Sequence, residues 1–155
     1  MKELFELLKK QLPGTWTGEG FAKFPTIDDT AYTENWRFEA DANKDTIFYE
    51  QHTWYKNDTP QNGQTVFWDT GFIFLKEDKI MLVSSQSGGR QETYELTEAA
   101  EGSYTFTNIG LANDPKTIRV QRILHLSDNS LSYELNMSTH QATEFQNHLK
   151  ASLNK

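Results

Sequence analysis

The chain has 155 residues, the length of one domain with a real core, and residues 1–155 read as a single domain without linker, internal repeat or low-complexity tract. It contains no Cys, which excludes a disulfide framework, a thiolate metal site and a thiolate nucleophile. A formal net charge of -7 argues against nucleic acid as a partner, because non-specific binding to a phosphate backbone comes from Lys and Arg displacing counterions. A mean hydropathy of -0.71, with no apolar run near the ~20 residues needed to cross a bilayer, argues against a membrane span. Met1-Lys2-Glu3-Leu4-Phe5 mixes charges where a signal peptide is uniformly apolar, so a cytoplasmic location is expected.

In chain order, Leu4, Phe5, Leu7, Leu8 and Leu12 fall on one face at helical spacing until Pro13-Gly14 stops the pattern. The spacing predicts a short amphipathic helix, whose mixed charges suit a lid over the end of a sheet better than a membrane-surface helix. Beyond Pro13 the period changes to two. Tyr32, Trp36 and Phe38 alternate with Thr33, Asn35, Arg37 and Glu39, as in a strand with one buried face. Similar strands are predicted around 47–56, 65–75, 79–84, 91–96, 104–108, 117–126 and 130–137. Turn-prone breaks separate them, among them Glu77-Asp78, Ser87-Gly88-Gly89, Glu101-Gly102 and Asn113-Asp114-Pro115. The tail 142–153 fits a helix or a strand equally, since Phe145, Leu149 and Leu153 share one face in both.

Consecutive hairpins without intervening helices predict an all-β protein: a closed antiparallel β-barrel of about ten strands with a short N-terminal helix. Such a barrel holds packed side chains or one small ligand. The abundance of aromatic residues, four Trp and ten Phe among them, suits either interior.

Few residues announce chemistry. None of His52, His125, His140 and His148 forms an i, i+4 pair, so a zinc site is not expected, and no Gly-x-Ser-x-Gly elbow marks a hydrolase. Glu19, Glu34 and Glu50 read as a solvated face rather than as paired catalytic carboxylates. Gly14-Thr15-Trp16-Thr17-Gly18-Glu19-Gly20 differs in kind, because it sets one large ring among residues that let something approach the backbone closely. Either a ligand approaches there, or the glycines let a barrel strand bend sharply beneath the helix while Trp16 plugs the barrel end.

At this motif the sequence resembles the nitrobindin family of haem-binding β-barrels, and the likeness extends over nearly the whole chain. The family's Gly-x-Trp-x-Gly-x-Gly is met by Gly14, Trp16, Gly18 and Gly20, and its Pro-Thr-Ile stretch by Pro25-Thr26-Ile27. Gln51-His52-Thr53-Trp54, Gly71-Phe72-Ile73-Phe74-Leu75-Lys76, Met137-Ser138-Thr139 and Asn147-His148-Leu149 follow the family's later strands. The resemblance implies haem b as cofactor, His148 as the proximal ligand of its iron, Thr26 against the haem, and a closing strand that turns His148 away from the face of Leu149. It also implies nitric oxide binding and isomerisation of peroxynitrite to nitrate. Phe67 stands where the family has a distal His, and Phe74 and His52 stand where it has Arg, which predicts a drier and less cationic pocket. The interval from Met137 to His148 is one residue longer than the family's. The alternatives are a haem-free barrel that carries a fatty acid or other small apolar ligand, with Phe67, Phe74 and Trp side chains lining the cavity, and a barrel filled by its own aromatics whose outer surface binds a partner. Whether two copies form a homodimer is left open.

Overall fold

The computed structural model describes residues 1–25 and 27–155, so the expectation attached to Thr26 lies outside the described residues. A helix, α1 (Lys2–Gln11), leads into ten strands: β1 (Gly14–Ala22), β2 (Thr30–Ala40), β3 (Thr46–Tyr55), β4 (Thr65–Lys76), β5 (Lys79–Gln86), β6 (Gln91–Ala100), β7 (Ser103–Ala112), β8 (Thr117–Leu126), β9 (Ser130–Thr139) and β10 (Gln146–Asn154). Each strand pairs antiparallel with the next, and β10 returns to β1, so the sheet closes and no edge is left to template aggregation. Among the described residues no helix is long and apolar enough to cross a membrane.

Helix α1 plugs one end of the barrel. Phe5, Leu8 and Leu12 are buried, whereas Leu7, on the predicted apolar face, is exposed. The buried Trp16 donates its indole N–H to the carbonyl of Leu12 at 2.8 Å, tying the helix end to β1. At the rim Lys2 pairs with Asp45 and the Lys9 ammonium reaches the Lys44 carbonyl, so α1 is fixed over the β2–β3 turn. Gly14 joins helix to strand at φ 128, a backbone conformation that L side chains rarely adopt.

The interior is filled. Trp16, Trp36, Tyr32, Tyr49, Tyr94 and Phe106 are fully buried, and the void ringed by Trp36, Gln51, Phe67, Arg122, Tyr133, Leu135 and Leu149 measures about 10 Å³. That is room for about one water molecule. Phe67 lines this void, and Phe74, half-buried, is opposite Thr46 across β3 and β4.

Two polar networks run through this core. Gln51 donates to Glu34 at 2.7 Å, Tyr133 donates to the other Glu34 oxygen at 2.9 Å, and Tyr32 shares a 2.8 Å hydrogen bond with Tyr133. On the other side Arg122 reaches Asp69 at 2.6 Å, Glu92 at 3.1 Å, Ser84 at 3.0 Å and the Tyr94 hydroxyl at 3.1 Å. Burial alone would lower the Arg122 pKa; Asp69, Tyr94, Tyr49 and Glu92 outweigh it and hold the guanidinium above its ordinary range. Glu34, expected on a solvated face, is instead buried, because it sits in phase with Tyr32, Trp36 and Phe38 on the inward side of β2.

Candidate functional site

The tail that periodicity left undecided is strand β10, and it carries a β-bulge. Asn147 pairs with Asn136 and Leu149 with Leu135, so His148 is an extra residue with no partner on β9. In a regular strand successive side chains point to opposite faces, but here both His148 and Leu149 are buried. The regular alternation behind the expectation that His148 faces away from Leu149 is interrupted at this bulge. The Asn147 amide braces it, donating both to Asn136 at 3.0 Å and to the carbonyl of Leu149 at 3.0 Å.

His148 lines a cavity of about 410 Å³ at the barrel end remote from α1, within the size range of small-molecule sites. Phe24, Pro25, Pro115 and Met137 give it apolar walls, and Arg90, Asp114, Lys116, Thr117, Thr139, His140 and Gln141 supply polar ones. The Phe24 ring lies 5.3 Å from the imidazole, and the backbone N–H of Lys23 donates to the His148 carbonyl at 2.8 Å, so the β1–β2 loop covers the histidine.

The imidazole is oriented. Its Nδ1 lies 2.9 Å from the carbonyl of Gln146, which can only accept, so Nδ1 carries the proton. In the neutral ring the lone pair then sits on Nε2, to which no described group donates. A backbone carbonyl holding one ring nitrogen while the other faces a cavity is the arrangement found behind metal-ligating histidines. Among the described residues no three His, Cys, Asp or Glu side chains converge to cage a bare ion. A single imidazole donor over an apolar-walled cavity fits a metal that brings its own equatorial ligands, as haem does.

The pocket carries more charge than the Phe67, Phe74 and His52 departures suggested, because its cations come from turns. Arg90 follows the Ser87-Gly88-Gly89 turn and pairs with Asp114 at 3.1 Å and with Glu92 at 2.5 Å. Thr117 and the backbone N–H of Lys116 hold Asp114, and together with Arg90 they outweigh burial and lower its pKa. Asn113 donates to the Gly89 carbonyl at 2.7 Å, locking the β7–β8 turn to the β5–β6 turn. Arg90, Lys116 and His140 were not legible as site residues, since turn residues follow no periodicity.

The other residues of the sequence-level site lie elsewhere. Gly14 and Trp16 are at the helix-capped end, and Gly18 and Gly20 lie along the β1–β10 seam, where a Cβ would collide with the Ser152 and Lys150 carbonyls. None of the four lines the His148 cavity, and neither does Phe67. His52 is on the outer face, stacked on Trp68 at 4.6 Å.

Residues 8–155 match the family model described as the THAP4-like, heme-binding beta-barrel domain. Among curated relatives, "Peroxynitrite isomerase Rv2717c" of Arabidopsis thaliana is 34% identical over 146 residues, covering 93% of this chain and 84% of the relative. "Peroxynitrite isomerase 1" of Rhodococcus jostii is 31% identical, covering 92% of this chain and 79% of the relative. In three dimensions the chain is similar to the crystal structure of Rv2717c from M. tuberculosis, with a TM-score of 0.76 at 24% identity over 93% of this chain and 92% of that one, a likeness of fold. With a family model matched over nearly its whole length, and with the motifs to go with it, the chain belongs to the THAP4-like haem-binding β-barrels, the nitrobindin family.

Proposed function

We propose that this protein binds haem b through His148 Nε2 and isomerises peroxynitrite to nitrate. The observation that carries the reading is the oriented imidazole: Nδ1 is committed to the Gln146 carbonyl, Nε2 has no described partner, and the residue lines a cavity of about 410 Å³ with apolar walls. Membership of a haem-binding family and relatives named peroxynitrite isomerase support it from outside the chain.

Bound haem would supply the iron chemistry by which an oxidant or nitric oxide reacts, with His148 the residue that would hold it. The chain's own residues do the rest. The Gln146 carbonyl fixes the imidazole and raises its donor strength. Phe24, Pro25, Pro115 and Met137 exclude water from the faces of a flat apolar ligand. Lys116, exposed at the rim, provides an ammonium for a carboxylate at the ligand's edge.

The test is stopped-flow decay of peroxynitrite in the presence of haem-loaded protein, with the nitrate yield measured at the end. Decay that accelerates in proportion to loaded protein, with nitrate as the product, is the expected result. A rate no greater than that of the same concentration of free haem would contradict the reading.

A further inference from the structure

Three contacts hold His148, and each restrains a different freedom. The Gln146 carbonyl, 2.9 Å from Nδ1, decides which ring nitrogen carries the proton. The Lys23 backbone N–H, 2.8 Å from the His148 carbonyl, fixes the main chain at the bulge, one step beyond the last β1–β10 pair of Ala22 with Leu149. Neither is enough to set the plane of the imidazole, because a carbonyl oxygen accepts hydrogen bonds over a broad range of directions. The third contact is the Phe24 ring, its centroid 5.3 Å from that of the imidazole and its plane tilted by 53°. That separation lies in the range aromatic pairs favour.

Phe24 approaches the imidazole from a fixed base. Pro25 follows it and confines its backbone to extended conformations. Its carbonyl accepts from the backbone N–H of Ile27 at 3.2 Å, and its half-buried ring packs against the barrel core. Lys23, the residue before it, is the one tied to the His148 main chain, so the two rings are referred to the same backbone bond. Turning the imidazole about its Cβ–Cγ bond would change the tilt against Phe24 and lengthen the bond to Gln146 together. Phe24 also lines the cavity, so it touches both the histidine and the space a ligand would fill.

We infer that Phe24 is the positioning residue of His148: its ring sets the plane in which the imidazole meets a haem held in this cavity. This rests on the haem reading above and goes beyond it, since it assigns the orientation of the ligating ring to a residue of the β1–β2 loop. A ligand ring whose plane is held by its neighbours keeps one alignment with the metal orbitals, whereas a free one averages over many.

The experiment is proton NMR of the ferric haem-loaded protein with cyanide bound, in wild type, Phe24→Leu and Phe24→Tyr. In this low-spin state the haem methyl shifts report the direction of the axial imidazole plane. Phe24→Leu keeps apolar bulk but no ring, and should redistribute the methyl shifts. Phe24→Tyr keeps the ring and should retain the wild-type pattern. Haem affinity, followed by the Soret band, should weaken by no more than about tenfold in Phe24→Leu. A residue that only walls the cavity would lower affinity without moving the pattern, so a wild-type pattern in Phe24→Leu overturns the inference at any affinity. A redistributed pattern in Phe24→Tyr overturns it too. If Phe24→Leu does not fold, Phe24→Met decides by the same criterion. Failure of the wild type to take up haem removes the haem reading, and this inference with it, whereas normal uptake with unmoved methyl shifts removes this inference only.

Discussion

His148 and Leu149 are neighbours in sequence and both are buried, because the bulge in β10 inserts His148 between two residues that keep their pairing with β9. Leu149 lines the small void at the centre of the barrel, and His148 lines the cavity at its mouth. One inserted residue thus converts an outward position into a cavity-lining one without disturbing the rest of the strand. Deleting Asn147 should restore regular alternation, pair His148 with Asn136 and send the imidazole to the outer face. The expected outcome is a folded barrel, with an unchanged far-ultraviolet circular dichroism spectrum, that no longer gives a saturable Soret band with haem.

Glu34 makes stability depend on pH. Burial lifts its carboxyl to about 8, against the pull of the hydrogen bonds from Tyr133 and Gln51, while in the unfolded chain it titrates near 4.5. Between these values the folded protein keeps a proton that the unfolded chain has lost, so this group's effect is to lower stability as pH rises, by at most about 1.4 kcal/mol per pH unit. Asp114, whose pKa is lowered, acts in the opposite sense at the acid end, where its contribution is lost as pH falls. Urea unfolding of wild type and Glu34→Gln from pH 5 to pH 8 separates the two. The variant should lose up to about 1 kcal/mol at pH 5, where one hydrogen bond to the amide is imperfect, and gain on the wild type steadily toward pH 8. Parallel stability profiles for the two proteins would count against a neutral Glu34.

Arg122 joins two buried carboxylates, Asp69 and Glu92, to one guanidinium. Arg122→Met leaves both charges buried without their cation, and breaking a buried pair in this way costs about 3–5 kcal/mol. Thermal or urea unfolding should show a loss of that order. A loss below about 1 kcal/mol would mean that water reaches the carboxylates.

At Gly18 an added methyl group would lie on the Ser152 carbonyl and 2.9 Å from the Leu153 Cα; at Gly20 it would strike the Lys150 carbonyl and the Tyr32 ring. Either Ala variant must push β1 away from β10, and overpacking of this kind typically costs about 1–3 kcal/mol. Because neither glycine lines the His148 cavity, haem affinity of the folded fraction should change little in either variant, which a titration well below the melting temperature would check.

Much of the fold was legible because period-two alternation and hairpin turns are local signals. The alternation of Tyr32, Trp36 and Phe38 and the Glu101-Gly102 turn, whose residues adopt φ 46 and 81, are where the sequence puts them. Alternation also held information that residue type concealed. Glu34, Gln51, Asp69, Glu92 and Arg122 all fall in phase with buried apolar neighbours, and phase, rather than charge, marks them as interior. The cavity was less legible. His148 came from the family resemblance alone, and no periodicity marks the bulge that carries it. Arg90, Asp114, Lys116 and His140 sit in turns or a loop at the mouth, where only tertiary structure brings them together.

The central claim is that His148 is the ligand that holds haem in the cavity, and its most direct test is a haem titration of wild type and His148→Ala followed by visible absorption. The account predicts a stoichiometric Soret band in the wild type that is shifted or abolished in the variant. An identical band and affinity in His148→Ala, or no saturable binding in the wild type, would contradict it.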